Sequence, residues 1–200
     1  NASREKCIAA CERSLKRLKT NRLDCYLLHW RESYPLAETI AAFGRLQQDG
    51  KILSWGVSNF DVRDLEELSR LGAAKRCACN QVLYHLEQRA IEHEVIPWCE
   101  QQGMAVVGYS PFGHDGFPAP RSAGGRLLQE IADAHGASAR RVALSFLVRR
   151  PSLFAIPKAT TASHVEDNAA AGALHLHEEE IARIEKTFPR GPKPSSLPMI

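Results

Sequence analysis

No apolar run in this 200-residue chain approaches the ~18 residues that would suggest a membrane span. Charge of one sign is scarce as well. The 26 Lys and Arg against 23 Asp and Glu leave a formal charge of +3, too small to argue for nucleic acid. The run Arg13, Lys16, Arg17, Lys19, Arg22 reads as the solvated face of a helix. No G-x-G-x-x-G follows a strand-like stretch, which weighs against a Rossmann domain. The six cysteines (Cys7, Cys11, Cys25, Cys77, Cys79, Cys99) lie in periodic apolar stretches rather than in a disulfide framework, so a reducing, cytoplasmic compartment is expected. Cys77-x-Cys79 has no second pair at zinc-finger spacing. His175-x-His177 supplies two ligands, which alone do not make a site, so it is read as a solvated turn and no metal is expected. Paired carboxylates at strand ends, which would mark an unrelated barrel hydrolase or isomerase, are missing too: Asp24 opens its strand and Asp115 sits in a Gly/Pro loop.

What remains is ordinary globular composition, 44% apolar and 24% charged, which excludes disordered and fibrous classes. The opening NASREKCIAACERSL already reads as a helix, with no signal or transit segment, and the chain is expected to be a piece of something longer. Helices are expected over 3–19, 36–49, 62–71 (capped by Asp61), 88–102, 125–135, 138–149, 161–170 and 178–187. Strands are expected over 23–30, 52–60, 77–84, 104–110 and 153–157, the first of them buried on both faces. A Pro-rich tail, 189–200, follows. Strands alternating with helices imply parallel pairing with right-handed crossovers. Five such units suit an open doubly wound sheet or a piece of a (β/α)₈ barrel.

Polar residues gather at the carboxyl ends of the five strands, where a barrel keeps its active site. In order these ends read LLHW, GVSNF, NQ, GYSP and IPK, the last followed by His164, Asp167 and Asn168. As an ordered set they resemble the aldo-keto reductases, of the bacterial type, from residue 1 to about 188. The resemblance implies a (β/α)₈ TIM barrel of which this chain supplies about five strand–helix units, residues 1–188 being the C-terminal portion of a single barrel. It implies an oxidoreductase that reduces aldehydes or ketones by direct hydride transfer from NADP(H).

By that resemblance His29 is the catalytic histidine that hydrogen-bonds the substrate carbonyl, and Trp30 lines the substrate pocket. Ser58, Asn59 and Gln81 hold the nicotinamide carboxamide, whose donor and acceptors side-chain amides and a hydroxyl match. Tyr109 stacks on the nicotinamide, and Ser110, Phe112 and the loop beyond run beside the pyrophosphate. Lys158 contacts the 2′-phosphate, Thr160 adds a hydroxyl at the start of the next helix, and Asp167 and Asn168 hold the adenine. Many relatives have arginine where this chain has His164, and often serine where it has Ala159. The cation lost at His164 weakens the phosphate site; NADP remains the expected cofactor, mainly on Lys158.

The family's general-acid tyrosine, its lysine and its aspartate fall in strand regions that this chain does not match. None of Tyr26, Tyr34, Tyr84 and Tyr109 stands in the required context. The chain alone is therefore expected to be inactive, and the alternative is a truncated NADP-binding or subunit-association module. Expected partners are small aldehydes or ketones, with no nucleic acid or membrane, and the full-length parent is expected to be a monomer.

Overall fold

The computed structural model describes residues 2–31 and 33–200; Asn1, where the resemblance begins, lies outside them. The chain divides into two compact units, residues 1–81 with 97–105, and residues 82–96 with 106–200. Five strands order in one sheet as β1 (Leu23–Leu28), β2 (Ile52–Ser58), β3 (Cys77–Leu83), β4 (Ala105–Tyr109) and β5 (Leu153–Ala155). The pairings β1–β2, β2–β3 and β4–β5 are all parallel, as strands joined by helical crossovers require.

In the first unit, α1 (Arg4–Leu18) and α2 (Leu36–Gln48) flank β1 in sequence, and α3 (Val62–Arg70) follows β2. Ser3 and Asp61 cap α1 and α3 by accepting from the backbone N–H three residues on, which satisfies a donor that a helix start leaves orphaned. Phe43 of α2 stacks on Trp55 of β2 with centroids 5.1 Å apart, and Tyr26 meets Phe43 edge-on. Cys7, Cys11 and Leu15 of α1 and Leu65 and Leu68 of α3 complete a dry core. The expectation that β1 is buried on both faces is corrected. Asp24 and Cys25 are exposed and only Leu28 is buried, because β1 is an edge strand with β2 as its neighbour. Opposite β3, β2 carries a register shift between Trp55 and Val57. Gly56 sits at that irregularity. A Cβ there would lie 2.7 Å from Cys79 O, Cys79 Sγ and Leu27 Cδ2, so the close approach needs glycine.

In the second unit, α5 (Ala123–Ala134), α6 (Ala139–Leu147), α7 (Ala162–Ala170) and α8 (Glu178–Thr187) accompany β4 and β5. Ser122, Ser138 and Thr161 cap the first three of these helices. Leu128, Ile131, Val142, Phe146 and Ile184 form the apolar core. Beside it lies a buried ionic network. Arg89, 2% exposed, bonds both carboxylate oxygens of Glu92 and the Phe188 carbonyl, and Tyr84 Oη donates to Glu92 at 2.6 Å. Arg149 adds a second cation, its guanidinium 3.9 Å from the Phe146 centroid and 3.4 Å from Glu92.

That network explains one difference from the sequence reading. The helix expected over 88–102 is replaced by a 3-10 turn, Ala90–Glu92, and a short α4 (Val95–Gln101). Here Arg89 and Glu92 are spent on burial contacts rather than on a continuous amphipathic face. The last strand also stops two residues early, at Ala155, just ahead of Pro157, which has no N–H to give. The tail after Pro189 holds no helix or strand. It is tied back by Lys193 to Glu94 (2.5 Å) and by His93 Nε2 to the Gly191 carbonyl (3.2 Å). No helix among the described residues is long and apolar enough to cross a membrane.

Candidate active site

In the first unit the named residues gather toward strand ends, with Gln81 inside β3, two residues before its end. His29 and Trp30 come directly after β1, both exposed, with ring centroids 5.5 Å apart. Arg31 anchors this segment: its guanidinium pairs with Asp64 and with Glu67 (2.5 Å) on α3. Ser58 is the last residue of β2 and is buried. Its Oγ and the Asn59 N–H both donate to the Gln81 carbonyl at 2.9 Å. Having donated its one hydrogen there, the Ser58 hydroxyl faces any further partner as an acceptor, which suits an amide NH₂.

The turn after β2 is held by a residue outside the expected set. Asn80 is fully buried, donates from Nδ2 to the Phe60 carbonyl at 2.9 Å and accepts from the Phe60 N–H at 3.3 Å. This clamp sits one residue before Gln81 and helps to hold Asn59 in the left-handed region, φ 59°. Ser110, directly after β4 in the second unit, has φ 50°. Among the described residues Lys19 is the other non-glycine with positive φ, and it is the C-cap of α1. Backbone of this kind costs about 1–3 kcal/mol and gathers at functional sites. Here it marks two of the expected residues.

In the second unit the named residues divide. Tyr109 ends β4 half-buried; burial raises its phenol, and the Ile200 backbone N–H donates to it. Phe112 meets Phe117 edge-to-face at 5.9 Å, and the Arg140 guanidinium lies 5.5 and 5.0 Å from the two ring centroids. A cavity of about 900 Å³ opens beside them, lined among others by Phe117, Arg126, Arg140, His164 and Asp167. Arg126 and Arg140 were not expected from the sequence. Their only signal was a helical position near the Gly/Pro loop, which many solvated arginines share.

Lys158 is exposed after β5 and is not among the residues lining that cavity. Thr161, not Thr160, caps α7, accepting from the His164 N–H at 3.3 Å, so Thr160 stands one residue outside the cap. Asp167 and Asn168, expected to share one role, are separated. Asp167 faces the large cavity, whereas Asn168 lines a second one of about 380 Å³ with Pro157 and Ala171. Adjacent residues on a helix point about 100° apart, which is the reason. Asp167 is also engaged: Ser138 Oγ donates to it at 2.5 Å and Arg141 pairs with it at 2.7 Å. Burial opposes its charge, but the Ser138 hydroxyl and Arg141 outweigh burial and hold the carboxyl below its usual range.

The aldo/keto reductase family model matches residues 1–188. The chain is 44% identical over 200 residues to the methylglyoxal reductase YeaE of Escherichia coli (strain K12), covering 100% of this chain and 70% of that protein. It is 32% identical over 196 residues to the glyoxal reductase of Bacillus subtilis (strain 168), covering 96% and 68%. Among solved structures, an aldo-keto reductase from Klebsiella pneumoniae in complex with NADPH superimposes with a TM-score of 0.88 at 41% identity, over 96% of this chain and 67% of that one. A second, with NADP and acetate, gives 0.87 at 40%, over 96% and 68%. The chain thus spans about two thirds of the length of these relatives. Ordered strand-end residues, parallel strands and near-complete coverage of this chain agree, and the chain belongs to the aldo/keto reductase family.

Proposed function

We propose that residues 1–200 form the cofactor-holding part of an NADPH-dependent reductase of small aldehydes and ketones, dicarbonyls such as methylglyoxal and glyoxal included. The observation that carries the reading is the chemistry of the donor set. Hydroxyl and amide groups stand at the end of β2, just after it and within β3, and a cavity whose wall carries Arg126 and Arg140 together with Glu130, Asp133 and Asp167 stands beside α7. The first suits a carboxamide and the second a phosphorylated adenosine. NADPH, when bound, supplies the hydride.

His29 donates a hydrogen bond to the carbonyl oxygen, orienting it and stabilising the charge that develops there. Trp30 offers a flat apolar wall. Ser58, Asn59 and Gln81 fix which face of the nicotinamide meets the substrate, and Tyr109 packs against the ring. Ser110 and Phe112 run beside the pyrophosphate. Lys158, Thr160 and His164 take the 2′-phosphate end, with Asp167 and Asn168 toward the adenine. Since Asp167 already serves Ser138 and Arg141, its contribution is to keep α7 on α6 as much as to touch adenine.

The proton for the alkoxide comes from outside residues 1–200. A tyrosine acts as an acid near neutral pH only when its pKa of about 10 is lowered. Burial pushes Tyr26 up to about 12, and burial raises Tyr84 and Tyr109 as well. Tyr34 accepts from the Lys6 ammonium at 2.9 Å. The test is methylglyoxal turnover with NADPH, by the 200-residue chain and by the native-length protein that carries it. The expected result is turnover by the longer protein and none by the chain. Turnover by the chain that a Tyr34→Phe substitution abolishes would overturn the assignment of the acid. NADPH binding without turnover in the native-length protein would favour a non-catalytic NADP-binding module.

A further inference from the structure

The C-terminal end of α5 and the N-terminal end of α8 bring together three metal-ligating side chains far from each other in sequence. His135 is the C-cap of α5, His177 is the N-cap of α8, and Glu180 lies in the first turn of α8. His135 Nε2 is 2.8 and 3.0 Å from the two Glu180 oxygens, and the His135 and His177 rings lie 5.7 Å apart at 33°. One ligand atom from each of the three lies within 4.8 Å of the others. We propose that His135, His177 and Glu180 form a binding site for a divalent transition-metal ion of the zinc class, which staples α5 to α8.

Two imidazoles and a carboxylate are a ligand set that zinc accepts, with water in the fourth position. Bonds of about 2.0–2.2 Å in a tetrahedron set ligand atoms about 3.4 Å apart. The His135–Glu180 contact therefore opens by about half an ångström when the ion enters, a shift within side-chain reach. The carboxylate is already oriented, because Glu180 Oε2 accepts from the His177 backbone N–H at 2.8 Å. His135 and Glu180 are 17% and 14% exposed, so two ligands are held by packing. His177 is exposed and leaves the ion an entry from solvent. The His135–Glu180 hydrogen bond and the His135–His177 ring contact join the two helix ends here.

The experiment titrates zinc chloride into the native-length protein in a buffer that does not chelate, then repeats the titration with cobalt(II) and records its absorption. Saturable binding of one ion is expected, with a cobalt spectrum free of sulfur charge-transfer bands. His177→Ala, His135→Ala and Glu180→Gln are each expected to weaken binding at least about tenfold, with the far-ultraviolet circular dichroism unchanged. His177 is exposed, so its variant reads the site without threatening the fold. Zinc is also expected to raise Tm in the parent and not in His177→Ala. Absence of saturable binding, a thiolate band in the cobalt spectrum, or unchanged affinity in the His177 variant would each overturn the proposal. None of these readouts involves carbonyl reduction.

Discussion

The two compact units solve stability and chemistry differently. The first has an aromatic and aliphatic core, with Trp55, Phe43 and Phe60 almost fully buried, and keeps its ion pairs half-exposed, as between Arg31 and Asp64 or Lys51 and Glu12. The residues it offers a ligand are the rings of His29 and Trp30, the Ser58 hydroxyl and the amides of Asn59 and Gln81. The second buries charge. Arg89 and Glu92, 2% and 8% exposed, sit in its interior with Arg149 beside them, and its large cavity carries charge of both signs, Arg126 and Arg140 with Glu130, Asp133 and Asp167. Neutral donors discriminate an amide by geometry, whereas cations attract a phosphate over a distance.

The largest expected effect tests the buried charge. Glu92→Gln leaves buried Arg89 with only the half-exposed Glu185, 3.3 Å away, as a carboxylate partner and is expected to cost about 3 kcal/mol, read as a fall in the denaturant midpoint. A loss below about 1 kcal/mol would show that the network is dispensable. His29→Ala comes next. In the native-length protein it is expected to lower kcat about 10²–10³-fold, the worth of one donor to a developing oxyanion, with NADPH affinity unchanged. A variant that loses cofactor binding instead would break the assignment of His29 to the substrate.

Asp167 yields a smaller effect with a pH signature. Its folded pKa lies below its unfolded value near 3.9. Its stabilisation is therefore fully present above about pH 5 and is lost as pH falls through the depressed folded value. Asp167→Asn is expected to lower stability by about 1–2 kcal/mol at neutral pH and to flatten the acid limb of the Tm–pH curve. An unchanged acid limb would place the acid sensitivity elsewhere. Smallest is the cation at the cavity. His164→Arg is expected to tighten NADPH several-fold more than NADH, and Arg140→Ala to weaken NADPH more than NADH, both by calorimetry. Equal effects on the two cofactors would remove the phosphate from this cavity.

Much of this was legible in the sequence, because much of it is local. Apolar spacing, with the Asp61 cap for α3, locates α2, α3 and α8 to within a residue or so. Most of the polar signatures sit at or just after strand ends, whereas Asn80 and Gln81 lie inside β3. The family was legible for the same reason. The shortened α4 was not, because whether Arg89 faces water or the core depends on Phe188, 99 residues away. The exposure of β1 depends on its neighbours in the sheet rather than on its own apolar run. Asn80 read as part of a motif, but its clamp on Phe60 spans 20 residues.

The sequence by itself determined the alternation of strands and helices, the Asp61 cap and the order of the strand-end residues. These follow from hydrogen bonds and side-chain spacing within one or two turns. Tertiary structure alone decided which polar side chains found partners. It bound Asp167 to Ser138 and Arg141 across 29 and 26 residues, turned Asn168 to another cavity, and carried His135 to Glu180 across 45 residues. The physical reason is the same in each case. A side-chain hydrogen bond or ion pair needs its atoms within about 3 Å, and at these separations only packing brings them there.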